Sequence, residues 1–376
     1  GRPVASSPKR SRRRRAVRAS ASPSPADRPA GGVASEEGEW PRGQSGAGAG
    51  AGVGAGAGGP TIRRRPPRGL DDHGCGRGVS FKVGLKDDLP PPPEGEAGLE
   101  DNSPRNILEE IVWHKAVEIE KWRDAQDLAT LTRAAARAPP ARDFRGALRA
   151  ALERTGKPGL IAEVKKRSPS RGLLQPDFDP VRIAREYEEG GAACLSVLTD
   201  EKYFGGGFEN LDLVRRAGVA CPMLCKEFVV EPYQIFKGRA AGADAVLLIA
   251  AVLPNSDLQY LMKVARSVGM QCLVEVHTEA EMARVLELEG LEMVGINNRD
   301  LETFEVDLDC TRRLLAGDLG AQVRERDILM VGESGIFTPE HVSFVQDAGC
   351  EAILVGESLV KQTDACTGVR RLLSLE

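Results

Sequence analysis

Residues Ala245–Val276 read AVLLIAAVLPNSDLQYLMKVARSVGMQCLVEV. An apolar run, Ala245–Ile249, is too short for a buried helix and has the length of a buried strand. Four more apolar residues, Ala250–Leu253, and a break at Pro254-Asn255 follow, then an amphipathic stretch, Ser256–Val268, with a helical period. A second apolar run, Cys272–Val276, closes the unit. Strand, helix and strand in this order imply two parallel strands joined by a right-handed crossover.

The unit repeats in both directions. Further apolar runs lie at Leu160–Lys165, Cys194–Leu198, Met223–Phe228, Met293–Asn297, Ile328–Gly332 and Ala352–Gly356. Helical patterns separate them, as at Pro180–Glu189, Glu279–Leu288 and Pro339–Ala348. Eight such runs predict an α/β protein of the closed (β/α)8 type, a TIM barrel. An open doubly wound sheet is the rival; it would carry a Gly-rich dinucleotide turn after its first strand, and none follows Leu160–Lys165.

Before the first run, Asn106–Trp122 places Ile107, Leu108, Ile111, Val112, Ala116 and Ile119 at helical spacing. Phe144–Arg154 is a second helical stretch. Upstream the composition changes. Residues 1–70 hold 14 Lys/Arg and 4 acids, a balance of +10, against −4 for all 376 residues. The opening GRPVASSPKRSRRRRAVRASASPSPADRPA is rich in Arg and Ser and nearly free of acids, as organellar transit peptides are. Gly-Ala repeats around Gly46–Gly59 cannot bury a core. The expected division is a disordered leader over 1–100, cleaved near Val17–Ser22, and a catalytic barrel over 101–376. The Arg12–Arg15 run also fits a nuclear-localisation or nucleic-acid arm.

The rest of the chain is net acidic, which argues against nucleic acid as its partner. No apolar run reaches the ~18 residues of a membrane span. The eight Cys form no C-x2-C pair and mostly sit in apolar runs, as buried reduced thiols do. The four His show no metal-ligand spacing.

A barrel carries its chemistry at the carboxyl ends of its strands. Glu163 and Lys165 end the first run and share a face, being two apart. Lys226 lies near the end of the third run and Glu275 near that of the fifth, Asn297 ends the sixth, and Glu333 directly follows the seventh. Each alone reads as a rim charge. Two Lys and three Glu at one mouth shift one another's ionisation and suit acid–base chemistry. Two Gly-bearing turns, Glu333-Ser334-Gly335-Ile336 and Val355-Gly356-Glu357-Ser358, follow the last two strands, where barrels often hold phosphate on backbone N–H groups.

These residues lie in motifs that resemble the indole-3-glycerol-phosphate synthase family. The motifs are LIAEVKKRSPS (Leu160–Ser170), SVLTDEKYFGGGFENL (Ser196–Leu211), LCKEFVV (Leu224–Val230), VLLIAAVL (Val246–Leu253), GINNRDLETFEVD (Gly295–Asp307) and VGESGI (Val331–Ile336). ILEEIVWHKAVEIE (Ile107–Glu120) is similar to the family's extra N-terminal capping helix. The resemblance implies ring closure, decarboxylation and dehydration of 1-(2-carboxyphenylamino)-1-deoxyribulose 5-phosphate in tryptophan biosynthesis, without metal or organic cofactor. It implies Lys226 as the first acid, Lys165 as the second, and Glu275 as the base. Glu163 and Glu333 would hold the ammonium groups, and Asn297 the substrate hydroxyls. Arg299 would meet the anthranilate carboxylate and Phe228 its ring. Ser168, Ser334, Gly335, Gly356 and Glu357 map onto the phosphate site, and the loop Lys166–Leu174 would close over the substrate. Glu357 departs from members with a small hydroxyl residue there, so its backbone N–H is expected to bind while its side chain turns away. With the pathway goes an expected home in the chloroplast stroma and room for association with other tryptophan enzymes. The competing functions are phosphoribosylanthranilate isomerase and a catalytically inactive barrel that binds a phosphorylated ligand.

Overall fold

The computed structural model describes Gly1, Thr61–Arg65, Ser80–Gly84, Pro104 and residues 106–301, 303–362 and 364–375. The expected leader and its cleavage point lie outside the described residues, except for Gly1 and the segments Thr61–Arg65 and Ser80–Gly84, which pair as antiparallel strands.

Eight parallel strands close into a barrel: β1 (Gly159–Val164), β2 (Cys194–Leu198), β3 (Met223–Lys226), β4 (Ala245–Ile249), β5 (Gln271–Val276), β6 (Met293–Asn297), β7 (Leu329–Glu333) and β8 (Ala352–Val355). Each pairs with the next in chain order, and β8 returns to β1. The chain is thus the TIM barrel read from its repeats. Nearly every strand residue is buried, since side chains fill the interior and helices cover the outside.

Among the described residues three helices precede the barrel: α1 (Ile107–Ala125), α2 (Leu128–Arg137) and α3 (Phe144–Thr155). The outer layer is α4 (Pro180–Gly190), α5 (Phe208–Arg216), α6 (Pro232–Ala240), α7 (Asn255–Ser267), α8 (Glu279–Val285), α9 (Asp309–Leu314), α10 (Gly317–Glu325), α11 (Pro339–Ala348), α12 (Glu357–Val360) and α13 (Ala365–Leu373). Local chemistry sets their ends. At α4, the Asp179 side chain accepts from the Val181 and Arg182 N–H groups, Pro180 presets the first turn, and Gly191 closes the helix at φ 101°. Thr338, Pro339 and Gly349 repeat the device at α11.

Three expected strands end early; the run Ala352–Gly356 stops at Val355, where Gly356 caps α12. The run Met223–Phe228 stops at Lys226 because local side chains take the next backbone groups: Glu227 Oε1 accepts from the Phe228 N–H (2.9 Å), and Gln234 Nε2 donates to the Phe228 carbonyl (2.8 Å). β1 stops at Val164, where the chain turns into a ribbon pairing Arg167–Ser168 with Gly172–Leu173. Polar groups also close the amino end of the barrel. Buried Asp244 accepts from the Arg142 and Met223 N–H groups, each at 2.8 Å, and pairs with Arg215. Gln271 Oε1 accepts from the first N–H groups of α3, at Phe144 (2.7 Å) and Arg145 (3.0 Å).

Candidate active site

The carboxyl ends of the strands surround a cavity of about 1220 Å³, counting its open mouth. All thirteen residues singled out in the sequence line it. So do Ile107, Leu108 and Ile111 of α1, which form one wall.

Lys226 projects from the end of β3 between two carboxylates. Its Nζ lies 3.0 Å from Glu275 Oε2 and 3.1 Å from Glu333 Oε2. Burial would pull its pKa down, but Glu275, Glu333 and Glu163 outweigh that and hold it above the ordinary lysine value. Lys165 pairs with Glu163 on the neighbouring side, as two residues on one strand face should.

One ammonium cannot neutralise two buried carboxylates, so they divide. Asn297 Nδ2 donates to Glu275 Oε1 at 3.0 Å. Burial opposes the Glu275 charge, yet Lys226 and Asn297 together hold its pKa below the usual range. Glu333 has no such donor, and its Oε1 is buried without a hydrogen-bond partner. Burial pushes Glu333 up to about 7, against the pull of Lys226 and with the push of Glu275. Two glycines make room. A Cβ at Gly295 would overlap Glu333 Oε1, and one at Gly356 would overlap Glu163 Oε1.

Across the cavity, Ser334 and Gly335 both take positive φ, 63° and 76°. Ser334 is not glycine, so this turn carries backbone strain held by its surroundings. Buried Asn298 supplies the hold. Its Nδ2 donates to the Glu333 carbonyl at 3.0 Å, and its Oδ1 accepts from Thr311 Oγ1 at 2.8 Å. Ser168 sits on the ribbon after β1, nearly buried against the same cavity.

Glu357 does not project alone. Its carboxylate meets Lys361 (2.8 Å), Arg171 (3.2 Å) and Arg299 (3.5 Å). Burial disfavours the charge, but Lys361, Arg171 and Arg299 keep the carboxyl below its ordinary range. Arg299 also donates to the Phe304 carbonyl at 3.1 Å. Phe228 stands beside Phe204, ring centres 5.9 Å apart.

The sequence reading missed Asn298, Asp200, Glu227 and Lys115. A second Asn directly after Asn297 was the only sign of Asn298. Lys115 stood on an otherwise apolar helix face, four residues after Ile111. Among the described residues, no group of His, Cys, Asp or Glu could hold a metal ion, and no helix is long and apolar enough to cross a membrane.

Residues 108–372 match the family model for indole-3-glycerol phosphate synthase. The chain belongs to the indole-3-glycerol phosphate synthase family. The chloroplastic indole-3-glycerol phosphate synthase of Arabidopsis thaliana is 61% identical over 72% of this chain and 67% of its own length. The indole-3-glycerol phosphate synthase of Crocosphaera subtropica is 50% identical over 83% of this chain and 99% of its own. That of Microcystis aeruginosa is 55% identical over 72% and 89%. Indole-3-glycerol phosphate synthases are carboxy-lyases of tryptophan biosynthesis acting on a phosphorylated small molecule, and this chain is such a lyase.

Proposed function

We propose that the cavity binds 1-(2-carboxyphenylamino)-1-deoxyribulose 5-phosphate and converts it to indole-3-glycerol phosphate, releasing CO2 and water. The observation that carries this assignment of roles is Lys226 held between Glu275 and Glu333 above the cavity that Lys165 also lines. Lys226 donates a proton to the ribulose carbonyl oxygen as the anthranilate ring carbon attacks the carbonyl carbon. Loss of CO2 restores part of the conjugation. Lys165 then protonates the departing hydroxyl, and Glu275 takes the proton that completes the indole ring. Glu163 and Glu333 hold the two ammonium groups, and Asn297 orients the substrate hydroxyls.

Phe228 packs against the aromatic ring, and Arg299 exchanges Glu357 for the anthranilate carboxylate, whose shape a guanidinium matches. The 5′-phosphate lies between Ser168 and the backbone N–H groups of Ser334, Gly335, Gly356 and Glu357. Arg171, Arg299 and Lys361 around Glu357 offset the repulsion its carboxylate would exert on that phosphate.

Lys226→Met is expected to lower turnover at least 100-fold at nearly unchanged melting temperature, read by indole fluorescence. Parental turnover would remove Lys226 as the acid. Glu275→Gln should bind substrate yet form no product; loss of binding alone would remove the base role. The same assay separates this reading from the isomerase and from an inactive barrel, neither of which makes an indole. We propose the chloroplast stroma as the location, with no nucleic-acid or membrane partner. A leader–fluorescent protein fusion found outside plastids would overturn that placement. Association with other tryptophan enzymes is tested by co-purification.

A further inference from the structure

Beside the active site lies a second ionic cluster that the reaction does not use. Lys115 of α1 is fully buried, and its Nζ touches three carboxylates: Glu118 at 2.6 Å, Asp200 at 2.7 Å and Glu227 at 2.9 Å. A lysine this deep is costly unless paired, and here three acids surround one base, with burial pushing the Glu227 carboxyl up against the pull of Lys115.

The partners lie on two segments of the cavity wall. Asp200 follows β2, and its Oδ1 accepts from the Tyr203 N–H (2.7 Å) and the Phe204 N–H (3.2 Å). Glu227 directly follows Lys226. Its Oε1 accepts from the Phe228 N–H at 2.9 Å, and its Oε2 accepts from Thr199 Oγ1 at 2.7 Å. Phe204 and Phe228 face each other across the cavity edge. On α1, Ile107, Ile111 and Lys115 recur every four residues and share one face. That face first lines the cavity and then, one turn later, drives its ammonium between the two segments.

We propose that Lys115 is a positioning residue for the reaction: through Asp200 and Glu227 it ties α1 to the segments that follow β2 and β3, the second of them directly after Lys226, and fixes where that acid stands. It touches no reacting atom. Its effect reaches the chemistry through Glu227, the immediate neighbour of Lys226. Misplacing a catalytic group by about 1 Å can cost on the order of 100-fold in rate, so the tie is expected to show in kcat. The inference rests on Lys226 being the acid.

The test uses the full chain, assayed by indole fluorescence well below each variant's melting midpoint. Lys115→Met strands three buried acids and risks misfolding. The pair Lys115→Met with Glu227→Gln removes one charge of each sign, keeps the cluster's net charge and is the deciding variant. Its kcat is expected to fall at least fivefold, with KM changing less. A kcat within fivefold of the parent overturns the proposal, whether the melting midpoint falls or KM rises, because the cluster would then be structural only. Lys226→Met is run alongside. Parental turnover there overturns the acid assignment itself, a failure distinct from that of the Lys115 tie.

Discussion

Glu333 carries the unresolved charge of the site, and its behaviour with pH follows from its surroundings. Its carboxyl rises from 4.5 to about 7 on folding. Below 4.5 it is protonated in both folded and unfolded chains. Between the two values the folded chain keeps a proton that the unfolded chain has lost. Above 7 both are ionised, and the fold bears the full cost of a buried charge, on the order of 3 kcal/mol. Stability should therefore fall as pH rises from about 4.5 to 7. Glu333→Gln is expected to raise the melting temperature by several degrees at about pH 8 and hardly at all at about pH 4.5, while turnover drops. Equal shifts at both pH values would place the origin elsewhere. Gly295→Ala acts on the same carboxyl by volume. The new methyl must displace Glu333 Oε1, so turnover should fall at least tenfold with the barrel still folded. A parental rate would mean that Glu333 has slack. None of this was legible in the sequence: Gly295 read as one more strand residue, and a carboxyl that keeps its proton looks like any other Glu.

The ribbon after β1 is the element whose motion can be tested. Arg167–Ser168 pairs with Gly172–Leu173, and Arg171 at its tip meets Glu357 of α12 at 3.2 Å. Arg171→Ala removes this latch without touching the cavity floor. It should raise KM about threefold or more and leave kcat nearly unchanged; an unchanged KM would deny the latch. Gly172→Pro is the poorer probe of loop closure. Gly172 sits at φ 68°, whereas proline requires about −65°, so the substitution would break the ribbon itself. Most elements were legible. The eight strands and α4, α7 and α11 fall within a residue or two of their expected ends, because buried strands and amphipathic helices have different periods. The exceptions have local causes. α8, expected to reach Leu288, ends at Val285, where Arg326 donates to the Leu286 and Leu288 carbonyls, and α2 buries only Leu131 and Ala135, too little for an apolar stripe. The charges at the strand ends were legible because the fold itself says where to look. Lys115, Asp200 and Glu227 were not, since a buried ion cluster is written in the same letters as a solvated surface.

The molecule as a whole separates its polar groups by end. At the carboxyl face gather the groups proposed to do chemistry; at the amino face Asp244 and Gln271 tie the barrel to Arg142 and α3. Asp244→Ala would strand the Arg142 and Met223 N–H groups and leave Arg215 with only the Gly242 carbonyl and no carboxylate, at a cost of about 3 kcal/mol. The expected outcome is a lower melting temperature with kcat unchanged in the folded fraction; a lost kcat would mean the two ends are coupled. Residues 101–376 alone should turn over substrate like the full chain if the leader serves only delivery. Ring closure has one more result. Ala352 of β8 pairs with Gly159 of β1, so the last strand translated is the neighbour of the first. A nascent chain that has already produced Glu163, Lys165, Lys226 and Glu275 still owns two open sheet edges and no enclosed site. A premature stop before Ala352 therefore yields not a slower enzyme but an aggregation-prone fragment with both proposed acids and the proposed base in place and nowhere to use them.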